Sequence, residues 1–151
     1  MGRDDKDVTM VNQPRAPHAT NPTVLLVDDE DTVRLSLARA LRRGGYEVLT
    51  AADGAEALEI LRTARISVLL TDYHMMSMNG MELMSAVQVA APSTVRILMT
   101  ARIEAEDAIH AVWSGLASRS LTKPFEPQEL FDAITQAISE RETHGTTRSA
   151  A

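Results

Sequence analysis

Between Pro22 and Glu142 the chain alternates two textures. Short apolar runs (Thr23–Val27, Tyr46–Ala51, Ile66–Thr71, Val95–Met99 and Arg119–Thr122) each give way to polar residues. The first, third and fourth are almost wholly apolar and rich in Val, Ile and Leu, as strands covered on both faces of a parallel sheet must be. The fifth, RSLT, is a weak strand signal by itself. Between the runs the spacing becomes helical: Val33, Leu37, Ala40 and Leu41 fall at i, i+4, i+7 and i+8, a single stripe that stops at Gly44-Gly45. Further helical stretches are Ala55–Leu61 after the Asp53-Gly54 turn, Met81–Val89 after Asn79-Gly80, and Ala105–Trp113 before Gly115. A last one, Glu126–Glu142, opens on Pro127, where a missing N–H costs nothing, and carries Leu130, Phe131, Ile134 and Ile138 at core spacing.

Five strand–helix units imply right-handed crossovers and a parallel sheet with helices on both faces, an α/β doubly wound fold of the flavodoxin-like (βα)5 kind. Its expected strand order is 2-1-3-4-5, which puts a site outside the carboxyl ends of strands 1 and 3. The residues there are chemically coherent. Strand 1 ends in Asp28-Asp29, strand 3 in Asp72, strand 4 in Thr100, and strand 5 in Lys123-Pro124. Carboxylates converging in one crevice resist ionising unless a cation lies among them. All the donors are hard oxygens, which suits Mg²⁺ (or Mn²⁺). A carboxylate nucleophile, a divalent ion, a lysine and a hydroxyl donor together make a phosphoryl site.

Composition narrows the alternatives. The chain has 151 residues, a length for one domain. With 44% hydrophobic and 24% charged residues it has globular usage, which excludes disorder throughout. The absence of cysteine removes disulfides, thiolate metal sites and cysteine nucleophiles together. A net charge of −6 and 3% aromatics leave no basic face or stacking platform for nucleic acid, so no direct nucleic-acid partner is expected. No run approaches the ~20 apolar residues of a membrane span, and the N-terminus lacks a signal-peptide core. A cytoplasmic setting without membrane attachment is expected. Residues 1–21, polar and holding Pro14 and Pro17, are expected to form a flexible leader. Residues 22–142 form the domain, and 143–151 are expected to be a disordered tail.

The segments VLLVDDE, LLTDYHMMSMNGMEL, VRILMTA and LTKPF resemble the four signatures of the response-regulator receiver domain, over about Thr23 to Arg141. By that resemblance Asp72 is the phosphoacceptor, loaded by a sensor histidine kinase or a histidine phosphotransfer protein. Asp29 ligates the metal directly, Asp28 mainly through water, and the backbone carbonyl of His74 completes the shell. Thr100 and Lys123 bind phosphoryl oxygens, and the Lys123–Pro124 bond is cis. Two positions depart from the family's pattern. Met76 stands where a proline is usual, and Ser120 where the family has a switching Tyr or Phe.

Trp113 lies near the face of fourth helix, fifth strand and fifth helix that receivers use for output; Trp113 and Ser120 are interface candidates, with partial burial the alternative for the Trp. Met75, Met76, Met78, Met81 and Met84 crowd the stretch after Asp72, most of them as packing, since methionine fills irregular gaps. The expected function is a stand-alone phosphoacceptor that is not a turnover enzyme and signals through a downstream protein. The alternatives are a phosphorylation-independent adaptor with the same fold, or a receiver cut from a larger regulator such as a cyclic-dinucleotide phosphodiesterase. An aspartate-nucleophile phosphatase is disfavoured, because Asp72-Tyr73-His74 lacks a second acid two residues on.

Overall fold

The computed structural model describes residues 21–150; apart from Asn21, the leader expected over residues 1–21 lies outside them. In chain order the elements are β1 (Thr23–Val27), α1 (Asp31–Arg43), β2 (Glu47–Ala51), α2 (Gly54–Thr63), β3 (Val68–Asp72) and α3 (Gly80–Ala90). They continue with β4 (Val95–Thr100), a 3₁₀ turn (Arg102–Glu104), α4 (Ala105–Trp113), β5 (Arg119–Thr122) and α5 (Pro127–Ala150). The strands form one parallel sheet in the order β2-β1-β3-β4-β5, as the sequence pattern predicts.

Strand side chains alternate between the two faces, and here both faces are covered. Val24, Leu26, Val68, Leu70, Ile97 and Met99 pack with Leu41 of α1 and with Leu130 and Ile134 of α5. Leu25, Val27, Leu69 and Leu98 turn the other way, against Leu83, Met84 and Val87 of α3 and Ala108 and Ala111 of α4. The register sets Leu26, Leu70 and Ile97 side by side. Two cores on one sheet explain why the central strands carry apolar residues at consecutive positions.

Local polar chemistry sets the helix starts. Asp53 accepts the Glu56 N–H at 2.8 Å, and Asn79 forms a reciprocal capping box with Glu82 at 2.8 and 2.9 Å. The Asp-Gly and Asn-Gly pairs are thus caps, each glycine being the first helical residue. Gly80 has a second reason to be glycine, because a Cβ there would run into the Asp72 carbonyl. Strand ends differ from the apolar runs. β3 starts two residues later than its run and extends through Asp72, and β4 includes Thr100, because the ladder continues through polar residues. The α5 backbone also stays helical over 143–150, where the sequence leads one to expect a tail; no proline in that stretch stops it.

Arg96, the second residue of β4, is a buried charge that the pattern does not predict. Its guanidinium donates to Leu116 O at 2.7 Å, Thr94 O at 2.9 Å, Gly115 O at 3.3 Å and Pro92 O at 3.5 Å. These carbonyls lie just beyond the C-termini of α3 and α4, where the helix dipoles favour a cation, and burial pulls the guanidinium below its usual value. Arg96→Met would remove four charge-assisted bonds and leave the buried Thr94 carbonyl without the guanidinium. It is expected to cost about 2–3 kcal/mol, read as a lower urea midpoint at unchanged slope.

Candidate functional site

The site lies at the carboxyl ends of β1, β3 and β4 and in the loop after β5. Asp28 follows β1 and is fully buried. Its Oδ1 accepts the Glu30 N–H at 2.9 Å, and its own carbonyl accepts from Arg34 at 2.6 Å, so backbone and side chain are both fixed. Asp29 beside it is exposed. Asp72, the last residue of β3, is paired in register with Met99 and is half-buried. Oxygens of Asp28, Asp29 and Asp72 all lie within 4.8 Å of one another.

Lys123 enters from the far side of the sheet. Its N–H donates to Thr100 O at 2.7 Å, anchoring the loop to the end of β4, and the Lys123–Pro124 peptide is cis. Its Nζ lies 3.0 Å from Asp72 Oδ1 and 3.4 Å from Asp28 Oδ2. Burial draws the lysine down, but hydrogen bonds and attraction from Asp72 and Asp28 outweigh it, so its pKa ends above the usual value. Asp72 is moved up. Burial raises it and Asp28 adds repulsion, and the contact with Lys123 only partly offsets them.

Two observations fit a phosphoryl group and a divalent ion. Three carboxylates against one ammonium leave two negative charges, which a divalent cation would balance, and every donor is a hard oxygen. Thr100 is fully buried, and its Oγ1 is one of two buried side-chain atoms among the described residues without a hydrogen-bond partner. A buried hydroxyl left without a partner costs stability, and an incoming oxyanion would relieve that cost.

Beside Lys123 opens an apolar cleft of about 560 Å³, lined by Val33 and Leu37 of α1 and by Pro124 and Phe125. On the other side, His74 projects into solvent and its Nε2 meets the Glu104 carboxylate, while Tyr73 Oη donates to Asp107 Oδ2 at 2.7 Å. Glu104 and Asp107 carry no signal in the sequence. Carboxylates in the first turn of a helix are common as dipole complements, and only the fold brings these two to the acceptor loop.

The remaining candidates separate. Trp113 is 86% exposed, which answers the alternative of burial against β5. Ser120 sits half-buried on β5 opposite Leu98. Of the methionines after Asp72, Met84 is fully buried and Met75, Met78 and Met81 pack against the α3-side core. Met76 is 77% exposed, next to Ser77, whose φ of 72° is left-handed. No helix of the described residues is long and apolar enough to cross a membrane.

Comparison with known proteins agrees with this fold. The family described as the response regulator receiver domain matches residues 24–135. The transcriptional regulatory protein GlrR of Escherichia coli K12 is 35% identical over 117 residues, covering 78% of this chain and 26% of that protein. The transcriptional regulatory protein PrrA of Mycobacterium tuberculosis is 33% identical over 130 residues, covering 86% of this chain and 55% of that protein. The chain thus spans about a quarter to about half of the curated relatives it matches. Among solved structures, a response regulator receiver domain protein from Clostridium thermocellum superposes with a TM-score of 0.75 at 31% identity, covering 81% of this chain and 98% of that one. The chemotaxis response regulator CheY4 of Vibrio cholerae gives 0.71 at 34% identity, covering 78% and 99%.

Proposed function

Because the chain belongs to the response regulator receiver family of two-component systems, we propose that it takes a phosphoryl group onto Asp72 from the phosphohistidine of a histidine kinase or histidine phosphotransfer protein. The observation that carries this reading is the surroundings of Asp72. Its carboxylate lies 3.0 Å from a lysine ammonium, within 4.8 Å of two further carboxylates, and on the strand next to a buried, partnerless threonine hydroxyl.

In this reading Asp28, Asp29, Asp72 and the His74 carbonyl would hold Mg²⁺ (or Mn²⁺), which when bound supplies neutralisation of the carboxylates and of the phosphoryl oxygens. The chain's own groups do the rest. An Asp72 carboxylate oxygen attacks phosphorus as the N–P bond of the donor breaks, and the imidazole departs with its electron pair and takes up a proton. Lys123 gives up its contact with Asp72 and donates to one phosphoryl oxygen, while the Thr100 hydroxyl donates to another. Position 74 offers an imidazole engaged with Glu104 and no second carboxylate to activate water, which supports an acceptor over a turnover hydrolase. The apolar cleft against α1 suits the approach of a helical donor protein. The phosphorylated domain then acts on a downstream protein, in the cytoplasm, where such donors display their phosphohistidine.

Incubation with acetyl phosphate and Mg²⁺ tests this reading without a cognate kinase. Intact-mass spectrometry is expected to show one added phosphoryl group, absent when EDTA is included. An unchanged mass in both samples would overturn it.

A further inference from the structure

Two contacts tie the loop after Asp72 to the segment after Thr100. Glu104 is buried; its Oε1 accepts the Ala101 N–H at 2.8 Å, and its second oxygen meets His74 Nε2. One carboxylate therefore holds the backbone next to Thr100 by a hydrogen bond through one oxygen, while the other, which has no hydrogen-bond partner, lies in ion-pair contact with a side chain two residues beyond Asp72. Three residues on, Asp107 in the first turn of α4 accepts the Tyr73 hydroxyl at 2.7 Å, and hydrogen bonding to this carboxylate raises the phenol's pKa. The Tyr73 and His74 rings meet edge to face at 5.0 Å, which links the two contacts laterally. The backbone of the loop is held too: Tyr73 N–H donates to Met99 O at 2.9 Å, and Gly80 N–H to Tyr73 O at 2.8 Å.

Neither contact is needed to build α4. Its inner face is packed through Ala108 and Ala111, while Ile109 and Trp113 face solvent. What the contacts add is a mechanical link from the acceptor loop to a helix that packs on the sheet through two alanines and the partly buried Val112. Alanines bury little area, so a helix whose fully buried side chains are both alanines is lightly held and its position responds to the loops at its start.

We propose that Glu104 and Asp107 are positioning residues that clasp His74 and Tyr73, so that the acceptor loop and the first turn of α4 move as one body and a change at Asp72 reaches Trp113 through the clasp. The last step rests on the reading of Asp72 as phosphoacceptor; the clasp itself does not.

The test compares wild type with Tyr73→Phe/His74→Ala, which removes both partners from an open loop and leaves Glu104 and Asp107 in place. Without any phosphoryl donor, hydrogen exchange of amides 101–107 is expected to run about tenfold faster in the double variant, the consequence of one lost hydrogen bond and one lost ion-pair contact; equal rates would overturn the clasp. With acetyl phosphate and Mg²⁺, the emission of Trp113, the only tryptophan, is expected to change in wild type and to stay flat in the double variant when normalised per phosphoryl bound. An equal normalised response would overturn the transmission. Asp107→Asn keeps an acceptor for the Tyr73 hydroxyl and is expected to preserve the response, whereas Asp107→Ala loses it; loss in both would overturn the positioning role. If wild type takes up no phosphoryl, the acceptor reading fails by its mass, and the exchange rates still decide the clasp.

Discussion

Asp72→Asn is expected to gain no phosphoryl mass under conditions that load the wild-type chain, and at neutral pH to unfold at a higher urea concentration. The first outcome follows because an amide oxygen is a poor nucleophile, and Asp28 cannot take its place: it is fully buried, with one oxygen on the Glu30 N–H and the other on Lys123. The second follows from the raised pKa of Asp72. An acid whose pKa is higher in the fold than in the open chain favours folding while protonated. That contribution is fully present below the ordinary value of 3.8 and is lost as pH rises through the folded value. At neutral pH the ionised carboxylate therefore weighs against the fold, and the neutral amide removes that burden while Lys123 keeps Asp28 at 3.4 Å. The gap between variant and wild type should close in acid. Urea midpoints at several pH values check it, and a variant less stable than wild type at neutral pH would contradict the assignment.

Lys123→Ala is the second large effect, of opposite sign for stability. The ammonium faces Asp72 and Asp28 together, and its removal leaves a fully buried carboxylate and a half-buried one with no cation between them. Breaking such a pair from one side costs about 3–5 kcal/mol, and the lower end applies here because the lysine is partly open to water. Phosphoryl uptake should fall sharply as well, since no ammonium receives the transferred charge. Mg²⁺ is expected to raise the urea midpoint of the variant more than that of wild type, because the ion then carries the whole neutralisation. Equal shifts would mean that ion and lysine act independently. The raised pKa of Lys123 adds an alkaline signature: its contribution is complete below the ordinary value of 10.5 and is lost as pH climbs through the higher folded value, so wild type should weaken there and the variant should lack that component.

Much of this fold is legible in the pattern of residues. β1, β5 and α4 have the predicted boundaries, and the order β2-β1-β3-β4-β5 follows from five strand–helix units and the handedness of their crossovers. Polar ends are where the pattern misleads. Asp72 and Thr100 look like the first residues of loops, yet both belong to the ladder, because backbone pairing is indifferent to side-chain polarity. The grouping of Asp28, Asp29, Asp72 and Lys123 was legible because each is tied to a strand end, and strand ends converge by topology. Glu104, Asp107 and Arg96 were not. Most of their partners are carbonyls or loop side chains distant in the sequence, and nothing in the local spacing marks such pairs.

The alternation of side chains along β3 has a consequence for how this chain tolerates change in length. Val68 and Leu70 face the α5 side and Leu69 the α3 side, a two-step parity that also aims residue 72. An insertion or deletion of a single codon within that strand would present Thr71 or Tyr73 at the crevice, or else turn the apolar residues on the other side of the change to the opposite layer. One aliphatic residue can therefore replace another along the strand, but a one-residue indel there would disturb layer packing and the aim of residue 72 together.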